Sequence, residues 1–406
     1  MKKILILHFG CLNNYGTGMM GLVTVNELHK RYKGDVEFHC DFNEFSTLED
    51  VKGELSEAVV LKKHILKEVK PSRFKVFRVI QNLLAIFSFS ETKKFDEIII
   101  LGGDDISEYY GSNIFLIILK YWFWSLFVPT TLLGQSIGPF NLKRNRLIVK
   151  YFMGRIKVVV RDGWTKGYLK EEFSLSKNVI QGADLAFHDL PRQHEIKLEK
   201  RVLEEYNLES KNYCTMVISG LQGNYYTSNK ENYFKAYEGF IKHIWDTYGD
   251  RIGKICLLAH TFPPHGNEAL LLKEFYSRFS KLEQVKLVLV TDKILQNKAR
   301  FILGNGLFTI TGRMHAAIST FQMGAPAIAL SYSAKYKGVI GINLKREDLI
   351  IECNEAQIWD SGEIINAVNS KVDYVMGNQE RLCNEIVQAV KTEKERVSLC
   401  LDSLVN

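Results

Sequence analysis

The chain is poor in the features that would place it quickly. Its seven cysteines, Cys11, Cys40, Cys214, Cys256, Cys353, Cys383 and Cys400, include no CxxC pair and lie far apart. That pattern excludes a disulfide framework and a cysteine zinc site, and it points to a reducing, cytoplasmic setting. No apolar run reaches the roughly 18–20 residues that cross a bilayer. The longest, IFLIILKYWFWSLFV at 114–128, is broken by Lys120 and followed by Pro129. MKKILILHFG resembles the start of a signal peptide, but the polar CLNNYGTG follows it without a small-residue cleavage site, so it reads as a buried first strand. There is no short-period repeat and no low-complexity tract. Between Asp292 and Glu347 there is no acidic residue at all, while Lys293, Lys298, Arg300, Arg313, Lys335, Lys337, Lys345 and Arg346 all fall there. A stretch of that kind argues against a divalent-metal site or an acid gripping a ribose, and it favours a small, highly charged anion.

What is present is a core. The chain has 406 residues, 46% hydrophobic and 24% charged, more than one core usually supports, so two domains are expected. A formal charge of +7 suits anionic small molecules, phospholipid surfaces or nucleic acid without choosing among them. Short β-branched runs (ILILHF, DVEFHCDF, DEIIILGG, TTLLGQ, KVVVRD) alternate with helix-length segments, the signature of βαβ units and a parallel sheet. DLPRQHEIKLEK at 189–200 breaks the alternation, which restarts with YCTMVIS, GKICLLAH, VKLVLVT, GLFTIT and APAIALS. The expected architecture is α/β. It has two doubly wound domains facing a central cleft, at 1–190 and 211–360, with a linker at 191–210 and C-terminal helices at 361–406.

Ligands of such sheets bind beyond the carboxyl ends of the strands. The loop after the first strand offers Asn14 and Gly16, with Gly10 and Gly18, beside a helix start whose N–H groups suit an anion or polar ligand. GGDD offers Asp104 and Asp105, as a sugar ligand, a general base or simply a helix cap. No further acid or His at a metal-ligand spacing accompanies them, so no metal is expected. LLGQSIGPF offers Gln135 and Ser136 for a polyol. VVVRD leaves Arg161 to enter the cleft or bridge the sheet, with Asp162 as a cap.

ITGRMHAAIS at 310–319 carries a tension. Arg313 and His315 would fall in the first turn of a helix, where the dipole disfavours cations by roughly 0.3–1 kcal/mol each. A bound anion would satisfy both the dipole and the cations, with Arg313 as a two-pronged donor and Lys335 as a point charge. A helix start lowers the pKa of His315 and a polyanion raises it, so ligand binding could load it with a proton for use as a general acid. The plainer alternative is that Arg313 and His315 simply hold the domain together.

In order along the chain, LLGQSIGP, VVVRD, GADLAF, AHTFPPHGNE, GRMHAAIS and GAPAIALSYSAKYKG resemble the polysaccharide pyruvyl transferases over roughly residues 1–345. The resemblance implies two Rossmann-like domains similar to GT-B glycosyltransferases, and transfer of the enolpyruvyl group of phosphoenolpyruvate to a sugar as a ketal, with release of phosphate. It implies donor binding and catalysis by Arg313 and His315, with Asp104 or Asp105 as candidate base. Arg161, Lys335, Gln135, Ser136, Asn14, Gly16, His260 and His265 are substrate-binding candidates. The domain at 211–360 is then the donor side and that at 1–190 the acceptor side. No cofactor or metal is implied beyond phosphoenolpyruvate as donor substrate, and no nucleic acid. The acceptor would be a sugar of a cell-envelope exopolysaccharide or its lipid-linked oligosaccharide precursor. Many family members carry Asn-x-Gly-Asp near the N-terminus and three glycines after the third strand, where this chain reads NNYGTG and GGDD. KPSRFKVFRVIQNLLAIFSF at 70–89, four basic residues ahead of an apolar face, is expected to support peripheral contact with the inner membrane face as readily as a core helix. The rival functions are a nucleotide-sugar glycosyltransferase of the same architecture and a non-catalytic sugar- or anion-binding protein.

Overall fold

The computed structural model describes residues 1–44, 46–65, 93–108, 111, 113–220, 226–282 and 284–405. The stretch 70–89 singled out for membrane contact lies outside the described residues. The chain forms two compact units. Unit 1 comprises Met1–Cys11, Met20–Leu185 and Glu395–Asn406; unit 2 comprises Leu12–Met19 and Ala186–Lys394.

Unit 1 is built on a seven-stranded sheet: β1 (Lys2–Leu7), β2 (Val36–Cys40), β3 (Val60–Lys63), β4 (Glu97–Leu101), β5 (Thr130–Gln135), β6 (Lys157–Val160) and β7 (Val179–Gln181). All neighbours are parallel and the order is β3-β2-β1-β4-β5-β6-β7. The central strands read as continuous apolar runs because both faces are covered: every residue of EIIIL in β4 is buried. Helices Ile114–Ser125, Lys143–Phe152 and Gly163–Phe173 connect successive strands. The last starts at Asp162, whose side chain caps it by accepting from the Thr165 N–H, as expected.

Unit 2 repeats the plan with six strands: β8 (Tyr213–Val217), β9 (Lys254–Leu258), β10 (Leu287–Val290), β11 (Thr309–Thr311), β12 (Ala327–Ser331) and β13 (Ile350–Glu352), in the order β10-β9-β8-β11-β12-β13, again all parallel. Both orders therefore turn back at one point, between β1 and β4 in unit 1 and between β8 and β11 in unit 2. That reversal opens a crevice at the strand ends where ligands of this architecture bind.

Three expectations of organisation change. Residues 191–210, read as a linker, hold the helix Ile196–Glu205, which buries Leu198 and Val202 within unit 2. The C-terminal helices, Glu363–Gly377 and Gln379–Val405, divide between the units, because the end of the last one lies along unit 1: Arg31 pairs with Asp402 at 2.7 Å and Lys157 donates to the Ser403 carbonyl. And Leu12–Met19, placed with the first domain by its position in the sequence, belongs to unit 2. All seven cysteines are free thiols, six of them buried. Among the described residues no helix is long and apolar enough to cross a membrane.

Candidate active site

In unit 2 the strand ends converge on an acid that the sequence reading passed over. Glu268 is the first residue of the helix Glu268–Phe279 and is fully buried. Its Oε2 accepts from the N–H groups of His260 and Thr261, both at 3.0 Å, and its Oε1 accepts from the Gly220 N–H at 3.3 Å and from Arg313 Nε at 2.7 Å. One carboxylate thus ties together the loops that follow β8, β9 and β11. Burial works against the charge of Arg313, but Glu268 beside it wins and raises the guanidinium pKa.

The apparent conflict in the first helical turn is therefore settled partly within the protein. Arg313 is the residue before the helix Met314–Gln322, in extended conformation, and its counter-charge comes from a segment 45 residues away. Among the described residues Arg313 donates through Nε alone, which leaves its two terminal nitrogens for another acceptor. Around it, Tyr336 Oη donates to the Gly312 carbonyl at 2.8 Å, and Lys335 Nζ donates to Tyr332 Oη at 2.7 Å and sits 4.6 Å over that ring. Arg313, Lys335 and the helix start form a positive corner at the β8/β11 switch point.

His315 is the second residue of this helix, within its first turn, with Gly16 against it. A β-carbon at position 16 would stand 2.1 Å from His315 Nδ1, so only glycine fits. The segment carrying Gly16 is clasped by unit 2 at several points. Tyr15 is fully buried beside His260 and Phe262, its N–H donates to the His260 carbonyl at 3.2 Å, and its hydroxyl accepts from the Leu295 N–H at 3.1 Å. Asn14 makes a bridge with Thr261, and its Oδ1 accepts from the Gly16 N–H. Asn14 and Gly16 thus join the donor-side candidates rather than the acceptor side. His260 is 1% exposed, and burial, then the neighbouring His315 and Arg313, hold its pKa well below 6.5. His265 is an exposed loop residue, turned by its N–H bond to the Phe262 carbonyl.

Unit 1 places its candidates differently. Gln135 is buried, with Nε2 donating to the Leu101 carbonyl at 3.2 Å. Arg161 is buried as well and bridges strand ends: its Nε donates to Ser136 Oγ at 2.8 Å and its Nη1 to Asp184 at 2.9 Å. Ser136 Oγ in turn donates a hydrogen bond to Asp162 at 2.6 Å, so Ser136 too belongs to this internal chain. Burial opposes the Arg161 charge, and Asp184 followed by Asp104 and Asp162 overcomes it and raises the pKa.

The two adjacent acids separate. Asp104 turns toward the Arg161 charge, whereas Asp105 is 53% exposed at the β1/β4 switch point, 3.4 Å from His8 Nδ1. His8, which the sequence reading did not single out, has φ of 63°, a left-handed conformation uncommon outside glycine. It is held there because the Asp41 carboxylate accepts from the N–H groups of His8, Phe9 and Gly10. Its Nε2 lies 3.1 Å from Tyr121 Oη, and burial, then Asp105 and Asp41, raise the pKa of that phenol. No group of three or more potential metal ligands occurs among the described residues.

Two parallel doubly wound units with polar clusters at their switch points define a GT-B-like α/β protein. Solved structures agree on the fold: S. aureus MnaA with UDP (TM-score 0.62, 13% identity, covering 100% of this chain and 95% of that one) and the UDP-GlcNAc 2-epimerase of Neisseria meningitidis (TM-score 0.60, 11% identity, 98% and 99%). Sucrose-phosphate synthase of Thermosynechococcus elongatus is similar too (TM-score 0.58, 10% identity, 100% and 98%). The family is set by sequence. The chain matches the polysaccharide pyruvyl transferase model over residues 14–334 and belongs to that family. The amylovoran biosynthesis protein AmsJ of Erwinia amylovora is 21% identical over 307 residues, 74% of this chain and 70% of that protein.

Proposed function

We propose that the protein moves the enolpyruvyl group of phosphoenolpyruvate onto a sugar of an exopolysaccharide or its lipid-linked precursor, forming a pyruvate ketal and releasing phosphate. Membership of the family supports the transferase class, and the observation that carries the donor is the positive corner at the β8/β11 switch point. Phosphoenolpyruvate bears a carboxylate and a phosphate, and Arg313, Lys335 and the helix start are groups that hold such anions in place. His315 protonates the methylene carbon, and the neighbouring carbon gains oxocarbenium character. A sugar hydroxyl attacks that carbon and gives up its proton to Asp105. The C–O bond to phosphate breaks, a second hydroxyl attacks the same carbon and closes the ketal, and its proton leaves on the departing phosphate. Positive charge at Arg313 and Lys335 stabilises the leaving group. Arg161 enters as a positioning residue that fixes Ser136 and Asp184 behind the acceptor side.

The test is phosphate release from phosphoenolpyruvate across a panel of sugar acceptors, with a nucleotide sugar as the parallel donor. Acceptor-dependent release is expected with phosphoenolpyruvate only. Consumption of the nucleotide sugar without phosphate release from phosphoenolpyruvate would overturn the assignment. Within the site, His315→Gln should abolish turnover with a modest loss of donor binding. Arg313→Lys, which keeps a charge against Glu268 but loses the two-pronged donor, should raise the KM for phosphoenolpyruvate.

A further inference from the structure

A second acid-free stretch runs through unit 1. Between Glu108 and Asp162 there is no Asp or Glu, while Lys120, Lys143, Arg144, Arg146, Lys150, Arg155, Lys157 and Arg161 lie there. Unlike its counterpart in unit 2, much of this one reaches the surface. Helix Lys143–Phe152 buries Asn145 and Val149 and exposes Lys143, Arg144, Leu147, Lys150 and Tyr151. Leu147 is 54% exposed and Tyr151 68%, with Leu142, 40% exposed, just ahead of the helix and Arg155 exposed just after it. Large apolar side chains alternate with cations on one outward face, and two of the flanking acids are already engaged: Glu108 by the Asn141 and Leu142 N–H groups and Asn145, Glu172 by Arg146 at 2.6 Å.

The neighbouring helix extends this face. Ile114–Ser125 holds one charge, Lys120, and buries only the stripe Ile114, Ile118, Tyr121 and Trp124, so it is more than a core helix. It runs alongside Lys143–Phe152 in the same direction: the Arg144 guanidinium lies 5.2 Å over Phe115 near the two helix starts, and the Trp122 and Phe152 rings are 4.8 Å apart near the two ends. Phe115, Leu116 and Leu119 remain half-exposed. Beside them a cavity of about 300 Å³ opens between Lys143, Arg146, Leu147, Lys150, Glu172 and Phe173.

We infer that this two-helix face is a docking surface for an anionic phospholipid bilayer. Leucine and tyrosine side chains enter the interface while the lysines and arginines meet the headgroup phosphates, an arrangement that combines apolar burial with charge attraction. A polyanion alone would leave Leu142, Leu147 and Tyr151 in water, whereas an anionic bilayer surface takes up both the apolar side chains and the cations of a face that has no acid between Glu108 and Asp162. The helix Lys143–Phe152 begins where the loop after β5 ends, so the docked face adjoins the strand-end side of unit 1 that carries His8 and Asp105.

Full-length protein is mixed with vesicles of phosphatidylcholine, alone or with phosphatidylglycerol, and the bound fraction is read by flotation. Binding to the anionic vesicles is expected, and it should weaken as salt rises. Each interfacial cation contributes about fivefold to binding, so Lys143→Glu with Lys150→Glu should cut it at least about twenty-five-fold. Leu147→Ala with Tyr151→Ala should weaken it with no change in net charge. Lys273→Glu with Lys281→Glu, an equal charge change on unit 2, should leave it intact, and all variants should unfold at the wild-type temperature. Wild-type protein that ignores anionic vesicles, either face variant that binds like wild type, or the control pair weakening binding as much as the face pair would overturn the inference. Phosphate release with a water-soluble acceptor should persist in the face variants, so failure here is separable from failure of the catalytic reading.

Discussion

The two units share a strand order and differ in the sign of charge they present at the strand ends. At the β1/β4 switch point of unit 1, Asp41 is spent on three backbone N–H groups and Asp105 stands outward beside His8. At the β8/β11 switch point of unit 2, the acid Glu268 is buried and the cations Arg313 and Lys335 are partly buried. Two copies of one scaffold thus carry different charge at their strand ends, and in the proposed function one accepts a proton from a hydroxyl while the other grips an anion. The scaffold itself decides neither; a few loop residues do.

The largest expected effects concern the internal charge pairs that each unit keeps. Glu268→Ala strands the Arg313 guanidinium and three backbone N–H groups and should cost about 3–5 kcal/mol of stability in urea denaturation; Asp184→Ala takes from Arg161 the first of the three carboxylates that support its charge and should cost stability too, by less. The comparison sharpens if the Glu268 variant also weakens phosphoenolpyruvate protection against unfolding by more than its own destabilisation. It breaks if either variant unfolds at the wild-type midpoint.

Next in size is the outward acid of unit 1. Asp105→Asn should lower kcat about a hundredfold or more and leave the KM for phosphoenolpyruvate nearly unchanged, whereas Asp104→Asn should act mainly on stability through Arg161. Equal kinetic effects from the two would erase the distinction between an inward and an outward aspartate.

A smaller effect is expected from the glycine that lets unit 2 take in an early segment of the chain. Gly16→Ala drives a methyl group to 2.1 Å from His315 Nδ1, so overpacking should cost about 1–3 kcal/mol and displace the imidazole. Turnover should fall with it, and normal turnover with normal stability would show that His315 has other room.

How much of this the sequence carried depends on range. The central strands, the helices between them and the Asp162 cap were legible because hydrophobic period and capping chemistry are local. The edge strands β3, β7 and β13 were not, being three or four residues long and carrying little apolar pattern. Arg313, His315 and Lys335 stood out through the missing acids around them. Glu268 did not, since Asn267 followed by Glu268 reads as an ordinary helix start and nothing local says that its carboxylate meets an arginine 45 residues on. For the same reason Asn14 and Gly16 were assigned to the wrong unit: the clasp on Tyr15 comes from His260, Phe262 and Leu295, which no local pattern connects to it.

The smallest effect is a pH dependence confined to unit 2. His260 is buried, and burial, then His315 and Arg313, hold its pKa well below the ordinary 6.5. Below pH 6.5 the unfolded chain therefore binds a proton at this residue that the folded chain refuses. Acidification favours the unfolded state, and the loss begins near pH 6.5 and continues downward at up to about 1.4 kcal/mol per pH unit. Above pH 6.5 both states are neutral at this position and it contributes no slope. His260→Gln removes the titration, so urea midpoints measured between pH 7.5 and pH 5.5 should fall less steeply for the variant, whatever its absolute stability. Phosphoenolpyruvate should shift the balance as well: an anion beside Arg313 and His315 offsets part of what holds the His260 pKa down, so the acid loss should shrink when the donor is bound. Parallel slopes for wild type and variant would mean that another group governs the acid limb, and that the positive corner does not reach His260.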